Sequence, residues 1–372
     1  MKIIIGSDIV ATDQNIQLFT QGDAKGLIGG EIKEILDKAD FRIFNLEMAL
    51  TDDAKPIKKC GPNISAPTAC INGIKALNTD LLCISNNHVL DFGYDGLLST
   101  IQTIDNSGIN RIGAGFSKEE AEKAYMFEKD GKKIAIYNCC EHEFSWVEDY
   151  GFGCNGFDAL ETPDKIKALK EKCDYVIVLY HGGKEHYRYP SPRLKKVCRK
   201  IVEKGADLVL CQHTHCVGCE EDFMHGKIIY GQGNFIFAKN MVNLSTWKEG
   251  FLLSVDISDK IIFDYIPFML TDVGIKIDKS GEIIKSYKER SEQIKAKGFV
   301  EKTFEEMAEN TVLSRYVKNI LKRDVAEDLS DVPMALFHYA ECEVHHECLL
   351  TGLRKKFKLG KYGEFKNIKG EN

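Results

Sequence analysis

The sequence lacks the features that mark membrane and secreted proteins. Its 372 residues contain no continuous apolar run of the ~18 residues that are needed to span a bilayer. The apolar run at residues 3–5 is too short for a signal peptide and ends at Gly6. Without a secretion signal, the 13 cysteines indicate buried free thiols in a reducing compartment rather than a disulfide framework. We therefore expect a cytoplasmic protein without a membrane span.

An excess of positive charge is also missing. The 50 lysines and arginines stand against 56 aspartates and glutamates, which gives a net charge of -6. A mildly acidic chain without blocks of like charge offers no bulk attraction to nucleic acid, so no nucleic-acid partner is expected. The hydrophobic fraction of 44% is ordinary for a globular protein, and a chain of this length can form one large domain with an appendage.

Short β-rich segments alternate with amphipathic helical patterns over about the first 235 residues. This alternation is typical of an α/β fold in which helices cover a sheet. The pattern predicts strands at residues 2–5, 41–45, 81–85, 134–137, 175–180 and 207–211, and helices at residues 31–38, 94–105 and 193–203 and from Thr162-Pro163 onward.

The pattern changes in the last third of the chain. Alternating residues between 250 and 277 predict antiparallel strands that complete a sheet. Charged helical patterns follow at residues 301–322 and 334–358. We therefore expect a catalytic domain at residues 1–280 and a C-terminal helical appendage at residues 281–372.

Polar residues follow nearly every predicted parallel strand. They are Asp8, Asn45, Glu47, Asn86, Asn87, His88, His181, His213, His215 and Asn234. The carboxyl ends of such strands converge on one crevice, and mixed carboxylate and imidazole ligands suit Mn²⁺, Fe²⁺ or Zn²⁺. Asp8 or the pair Asn86-Asn87 alone is equally good turn chemistry. The coincidence of His181 with His213 and His215 favours a metal site, with two metals if a carboxylate bridges them.

In their order along the chain, these motifs resemble those of the capsule-synthesis CapA family. That family is associated with poly-γ-glutamate synthesis and belongs to the calcineurin-like metallophosphoesterase superfamily. The motifs cover roughly residues 1–240 and are Gly6-Ser7-Asp8, Asn45-Leu46-Glu47, Ser85-Asn86-Asn87-His88 with Asp91 and Gly93, His181-Gly182-Gly183 with Glu185, His213-Thr214-His215, and Tyr230-Gly231 with Gly233-Asn234-Phe235.

The resemblance implies a four-layer sandwich, with helices outside two facing sheets, and a centre of two divalent ions. It assigns six metal ligands: Asp8 and His215 on one ion, Glu47 as the bridge, and Asn87, His181 and His213 on the other. His88 is then expected to orient or protonate the leaving group. Glu185 is expected to bind substrate or to act as an acid or base.

Other polar residues are candidates for substrate binding. They are Asn45, Asn86, Asp91 and Asn234 of the motifs, and Arg188 of an aromatic and basic stretch. His142, between two glutamates at a predicted strand end, is a further candidate for the crevice. The superfamily commonly has Asp-x-His at the first strand, whereas Val10 stands at the third position here. Without a histidine ligand at this position, one metal is expected to be weakly held, or Glu47 is expected to compensate for the missing ligand.

Two groups of cysteines lie outside these roles. Cys216 and Cys219 form a Cys-x-x-Cys behind a predicted metal loop, which favours incidental thiols over a redox pair. A second group lies in the predicted C-terminal helix and consists of Cys342, His345, His346 and Cys348. The first three share a helical face, which permits a zinc site, whereas Cys348 points elsewhere. Packing of a polar helix face is the favoured interpretation.

The sequence supports two hypotheses about function. The first is a metal-dependent hydrolase of phosphoesters or of γ-glutamyl-type amides, with a small or polymeric anionic substrate. The second is a non-catalytic accessory protein that binds an anionic polymer during capsule or polyglutamate assembly. Metal content separates them, because two tightly held ions favour an enzyme.

Overall fold

The computed structural model describes residues 1–238, 245–258, 260–317 and 332–358. Its strands belong to two large sheets and two short pairs. In chain order they are β1 (Lys2–Val10), β2 (Phe41–Leu46), β3 (Ala49–Leu50), β4 (Ser65–Ala66), β5 (Leu81–Cys83), β6 (Asn110–Ile112), β7 (Ala114–Gly115), β8 (Tyr125–Lys129), β9 (Lys132–Cys140), β10 (Gly153–Cys154), β11 (Tyr175–His181), β12 (Leu208–Gln212), β13 (Glu220–Phe223), β14 (Gly226–Tyr230), β15 (Ile236–Phe237), β16 (Glu249–Ile257), β17 (Ile261–Leu270) and β18 (Ile275–Ile277).

The α-helices of the described ranges lie between the strands and at the C-terminal end. They are α1 (Ile16–Gln21), α2 (Ala24–Asp37), α3 (Ile71–Ala76), α4 (Gly93–Ser107), α5 (Lys118–Ala121), α6 (Val147–Tyr150), α7 (Thr162–Lys170), α8 (Pro192–Glu203), α9 (Glu282–Gln293), α10 (Phe299–Thr311), α11 (Val332–Glu341) and α12 (Glu343–Lys356). None of them has the length and apolar content that a bilayer crossing requires.

The larger sheet has the strand order β18-β17-β16-β1-β2-β5-β6, and β15 also pairs with β1. Strands β1, β2, β5 and β6 run parallel to one another, whereas β16, β17 and β18 are antiparallel, as the sequence predicts. The second sheet has the order β13-β14-β12-β11-β9-β8, with β9, β11, β12 and β14 parallel. Both sheets therefore contribute carboxyl ends of parallel strands to a crevice.

The layers follow from the alternation of side chains along each strand. Ile4 of β1 packs in a core with residues of α2, whereas its neighbours Ile3 and Ile5 pack against residues of the second sheet, such as Ile177. On the outer face of that second sheet, Val178 packs against residues of α8. The order helix, sheet, sheet, helix is the four-layer sandwich predicted above.

The C-terminal helices extend this sandwich on one side. Ile283 and Tyr287 of α9 pack into the core between the sheets, while α10, α11 and α12 share a separate apolar cluster. The prediction of one helix over residues 334–358 was wrong, because Cys342 leaves the helical conformation at ψ 121° and separates α11 from α12. The predicted helix at 301–322 extends beyond the described residues. The domain division at residue 280 stays a prediction.

Candidate metal centre

The crevice forms where strand ends of the two sheets meet. Asp8 lies near the end of β1, and His181 ends β11 in the opposite sheet, with Nδ1 of His181 3.9 Å from Oδ1 of Asp8. Between Ile5 and Asp8 the pairing of β1 with β2 changes register, which re-aims the side chains that follow. Gly6 lies in this irregular stretch. The position requires glycine, because a Cβ atom there would approach the Phe44 ring to 2.5 Å.

Six predicted metal ligands converge in this crevice. Glu47, His181 and His213 form one group of buried ligand atoms that lie within 4.8 Å of one another. Asp8, Glu47 and His215 form a second such group. Oδ1 of Asn87 joins them, 3.0 Å from Nε2 of His181. Glu47 belongs to both groups, so its carboxylate is shared between them.

Several of these ligand atoms have no hydrogen-bond partner among the described residues. They are Oδ2 of Asp8, both carboxylate oxygens of Glu47 and Nδ1 of His213. Buried polar atoms are normally paired, and a buried unpaired carboxylate is especially costly. Divalent cations would satisfy these atoms, and the mixture of carboxylate, amide and imidazole donors fits Mn²⁺, Fe²⁺ or Zn²⁺.

Burial controls the charges in the cluster. Burial and the neighbouring Glu47 raise the pKa of Asp8 to about 7. Burial, followed by Glu185 and Glu143, raises the pKa of Glu47 well above its usual value. Burial lowers the pKa of both His181 and His215 to about 4. The imidazoles are therefore neutral, which is the form that binds metal ions.

The loop after β12 holds two of the histidines in an unusual backbone conformation. His213 and His215 have φ angles of 82° and 53°, in the left-handed region that non-glycine residues seldom adopt. Nδ1 of His215 lies 2.8 Å from Oδ1 of Asn234. An amide oxygen only accepts, so this contact places the proton on Nδ1 and leaves Nε2 with a free lone pair. Asn234 thus orients a candidate ligand.

His88 lines the same crevice without belonging to either ligand group. Its Nδ1 lies 2.6 Å from Oδ2 of Asp91, and Lys59 forms a buried ion pair with the other oxygen of that carboxylate. Burial, followed by Lys59, lowers the pKa of His88. Because Asp91 occupies Nδ1, the other ring nitrogen is left for a substrate.

A cavity of about 270 Å³ borders this crevice, and two of the six candidate ligands, Asn87 and His215, line it. Its wall carries two cationic side chains that the sequence did not single out, Lys59 and Arg315. The C-terminal helices complete this wall with His338, Tyr339 and His345. The helical segment expected to be an appendage therefore borders the site.

Most of the chain, including the candidate metal centre, matches a known protein family. The profile of the family described as "Bacterial capsule synthesis protein PGA_cap" matches residues 2–239. This chain belongs to that family. The matched span contains the six candidate ligands and His88.

Curated relatives of this PGA_cap protein cover part of its length. "Capsule biosynthesis protein CapA" of Bacillus anthracis is 25% identical over 252 residues, which are 65% of this chain and 61% of the relative. "PGA biosynthesis protein CapA" of Bacillus subtilis is 26% identical over 216 residues, 55% of each chain. The chain thus spans less than two thirds of these relatives.

Among solved structures, a putative 5'-nucleotidase from Staphylococcus aureus superposes with a TM-score of 0.45 and 14% identity. The match covers 77% of this chain and 57% of that one.

In this PGA_cap protein, the residues predicted to bind substrate contact other side chains or the backbone. Nδ2 of Asn45 donates to Oδ1 of Asp8 at 2.7 Å, and Nδ2 of Asn86 donates to the carbonyl of Leu46 at 2.8 Å. Arg188 pairs with Glu249 at 3.0 Å. Within the described ranges, none of the five predicted residues lines the cavity: Asn45, Asn86, Asp91, Arg188 and Asn234. Their contacts fit a role in positioning.

Glu185 does line the cavity, and Nη2 of Arg315 lies 3.6 Å from its Oε2. Burial acts to raise the pKa of Glu185, but neighbouring positive charges, first that of Lys184 and also that of Arg315, lower it well below the usual value. Glu185 is therefore ionised, and an ionised carboxylate can bind a cation or accept a proton but cannot donate one.

The remaining candidates lie away from this chemistry. Val10 is buried in the apolar core on the helix side of the larger sheet. His142 contacts Asp149 at 2.9 Å, and its neighbour Glu143 lines the cavity instead. All 13 cysteines are free thiols, and burial raises the pKa of Cys216 to about 11 and that of Cys219 further. These raised values agree with incidental thiols.

Proposed function

We propose that this protein is a metal-dependent hydrolase with a centre of two divalent ions, Mn²⁺, Fe²⁺ or Zn²⁺. The observation that carries the proposal is the convergence of unpaired, buried carboxylate oxygens of Asp8 and Glu47 with neutral imidazoles. The proposed ligands are Asp8 and His215 on one ion, Glu47 between the two, and Asn87, His181 and His213 on the second. Ions held there would lower the pKa of a coordinated water and neutralise charge that develops on the substrate.

His88 is the proposed proton-transfer group. Asp91 holds its Nδ1 at 2.6 Å, so the ring is fixed while Nε2 stays available. A histidine in this place is near the ligand Asn87 but outside the ligand groups. Its Nε2 can therefore hold or deliver a proton at the oxygen or nitrogen of the leaving group.

Lys59 and Arg315 are the proposed binding groups for an anionic substrate. Both line the cavity, on the side of the loop before β4 and of the C-terminal helices respectively. Arginine recognises carboxylate and phosphate groups through paired hydrogen bonds, while lysine contributes a point charge. A cavity of about 270 Å³ admits one substrate group or the end of a chain rather than a long segment.

The proposed substrate class is a phosphoester or a γ-glutamyl-type amide. The curated relatives are named for capsule and PGA biosynthesis, which supports an anionic polymer or its building blocks. The second candidate is an accessory protein that binds such a polymer without cleaving it. Val10 favours that candidate, because it provides no ligand where the superfamily commonly has histidine.

The two candidate functions are distinguished by measuring hydrolytic activity on protein whose metal content is known. Protein loaded with Mn²⁺ is assayed with phosphomonoesters, phosphodiesters and γ-glutamyl peptides, beside an Asp8→Asn variant. Turnover by the natural chain that is lost in the variant supports the hydrolase. Two bound ions without turnover of any of these substrates overturn it in favour of the accessory role.

A further inference from the structure

A second group of metal-ligand side chains lies beside the crevice and outside the six proposed ligands. Glu143, Cys342 and His345 offer oxygen, sulfur and nitrogen atoms within 4.8 Å of one another. Their exposed fractions are 8%, 1% and 4%. Glu143 follows β9, whereas the other two belong to the C-terminal helices, so the group joins distant parts of the chain.

We propose that Glu143, Cys342 and His345 bind one zinc ion, with His338 as the fourth ligand. Nε2 of His338 lies 3.5 Å from Oε1 of Glu143. The ring centroids of His338 and His345 are 4.5 Å apart. A tetrahedral set of cysteine, histidine and carboxylate ligands is typical of zinc.

Glu143 also lies beside two histidines. Its oxygens lie 3.6 Å from Nε2 of His213 and 3.5 Å from Nε2 of His338. His213 and His338 are buried, as Glu143 and Cys342 are. A zinc ion bound here would take the Cys342 thiolate and the Glu143 carboxylate as ligands and balance their buried charge.

The two helical ligands are held in place by their own neighbours. Nδ1 of His345 contacts the buried hydroxyl of Tyr316 at 2.7 Å, which leaves Nε2 for a metal. Metal-binding histidines commonly have such an outer partner on the second nitrogen. Cys342 lies at the break between α11 and α12, where its non-helical backbone brings the thiol beside Glu143 and His345.

The ion fastens the C-terminal helices to the catalytic sandwich. Elsewhere along this junction, the backbone of His142 donates to Glu343 and that of Arg193 donates to Glu347, each at 2.9 Å. A zinc ion adds a fixed point between the loop after β9 and the helices that supply His338, Tyr339 and His345 to the cavity wall. The proposal does not rest on hydrolase activity, because its ligands are separate from the other six.

Cobalt spectroscopy distinguishes this site from the other centre. Co²⁺ bound by a thiolate gives a charge-transfer band in the near ultraviolet, and none of the six other proposed ligands is a cysteine. The full chain is stripped of metal, reconstituted with Co²⁺, and compared with Cys342→Ser and Cys348→Ser. Cys348 is the matched control, a buried cysteine of α12 that lies outside the ligand group.

We expect the band in the natural chain and in Cys348→Ser. Cys342→Ser should lose the band, and it should bind one zinc ion per chain fewer than the natural chain. Absence of the band in cobalt-loaded natural protein overturns the proposal, as does a band that survives in Cys342→Ser. If that variant does not fold, His345→Gln decides. The proposal expects its cobalt affinity at this site to fall at least about tenfold, and an unchanged affinity contradicts it.

Discussion

Nε2 of His181 lies 3.4 Å from Oε1 of Glu47, across the junction of the two sheets. The same nitrogen is 3.0 Å from Oδ1 of Asn87. Both oxygens of Glu47 lack hydrogen-bond partners among the described residues. A neutral imidazole, an amide oxygen and a buried carboxylate thus meet here, and they are the donor types of the proposed metal centre.

Replacement of Glu47 by glutamine tests the proposed bridge. The change removes the negative charge between two cations, so we expect loss of at least one ion per chain. At Mn²⁺ concentrations of about 100 times Kd, one bound ion stabilises the natural chain by ~2.7 kcal/mol. Chemical unfolding with and without Mn²⁺ should show a clearly smaller increase for Glu47→Gln.

Glu141→Gln is the matched control for this change. Glu141 is also buried near the crevice, but Oε2 accepts a hydrogen bond from the backbone of Gly183 at 3.1 Å, which glutamine can replace. We expect it to keep its metal. Equal metal content in Glu47→Gln and Glu141→Gln would remove the bridge from the account.

Asn234 is predicted to act on metal affinity and not on substrate binding. Its Oδ1 fixes the ring of His215 at 2.8 Å, and loss of such an outer partner typically costs 10–100-fold in metal affinity, so we expect about that for Asn234→Ala. Asn15→Ala, at a buried asparagine that donates to the carbonyl of Val273, is the control. Calorimetric titration measures both. An unchanged metal Kd with a raised substrate KM would restore Asn234 as a substrate ligand.

His88→Asn separates proton transfer from metal binding. General acid or base catalysis typically contributes ~10²–10⁴-fold, so we expect turnover to fall by about that factor while metal content is retained. His213→Ala should lose metal and activity together, because Nδ1 of His213 is a proposed ligand atom. Metal analysis and turnover are measured on the same samples. If His88→Asn loses metal as completely as His213→Ala, His88 is a ligand.

Two arginines should respond differently to replacement by methionine. Arg315 lines the cavity, and loss of a charge-assisted hydrogen bond of ~1.5–3 kcal/mol predicts a KM for an anionic substrate raised about 10–100-fold. Arg188 contacts Glu249 and the carbonyl of Val217, so Arg188→Met should cost ~1–2 kcal/mol of unfolding free energy and leave KM unchanged. Steady-state kinetics and urea unfolding measure the two effects. The reverse pattern contradicts the assignment of Arg315.

The candidate ligands could be grouped from the sequence because the carboxyl ends of parallel strands meet at one edge of a sheet. Asp8 and His181 belong to β1 and β11, so local patterning was sufficient to place them at one edge. At the end of β9 the same rule singled out His142, although Glu143 lines the cavity, because sequence alone does not tell which of two neighbours turns inward.

Other parts of the site depend on contacts that leave no local signal. Lys59 lies in a loop and Arg315 in the π-helical segment Val312–Val317 that follows α10, and only tertiary packing brings them to the same cavity. The helical pattern also continues through Cys342, where the structure has a break. The periodicity of apolar residues indicates which face of a helix is buried. It does not indicate where the helix ends when no glycine or proline marks the end.

The most direct test of the central claim is a Mn²⁺ titration of the metal-free natural chain, followed by electron paramagnetic resonance. Two ions that share Glu47 and lie ~3.5–4 Å apart should give an exchange-coupled spectrum at a stoichiometry of two per chain. The same titration of Glu47→Gln should give, at most, the hyperfine pattern of isolated Mn²⁺. Less than one ion bound per natural chain, or two ions with only the isolated pattern, would contradict the two-metal centre.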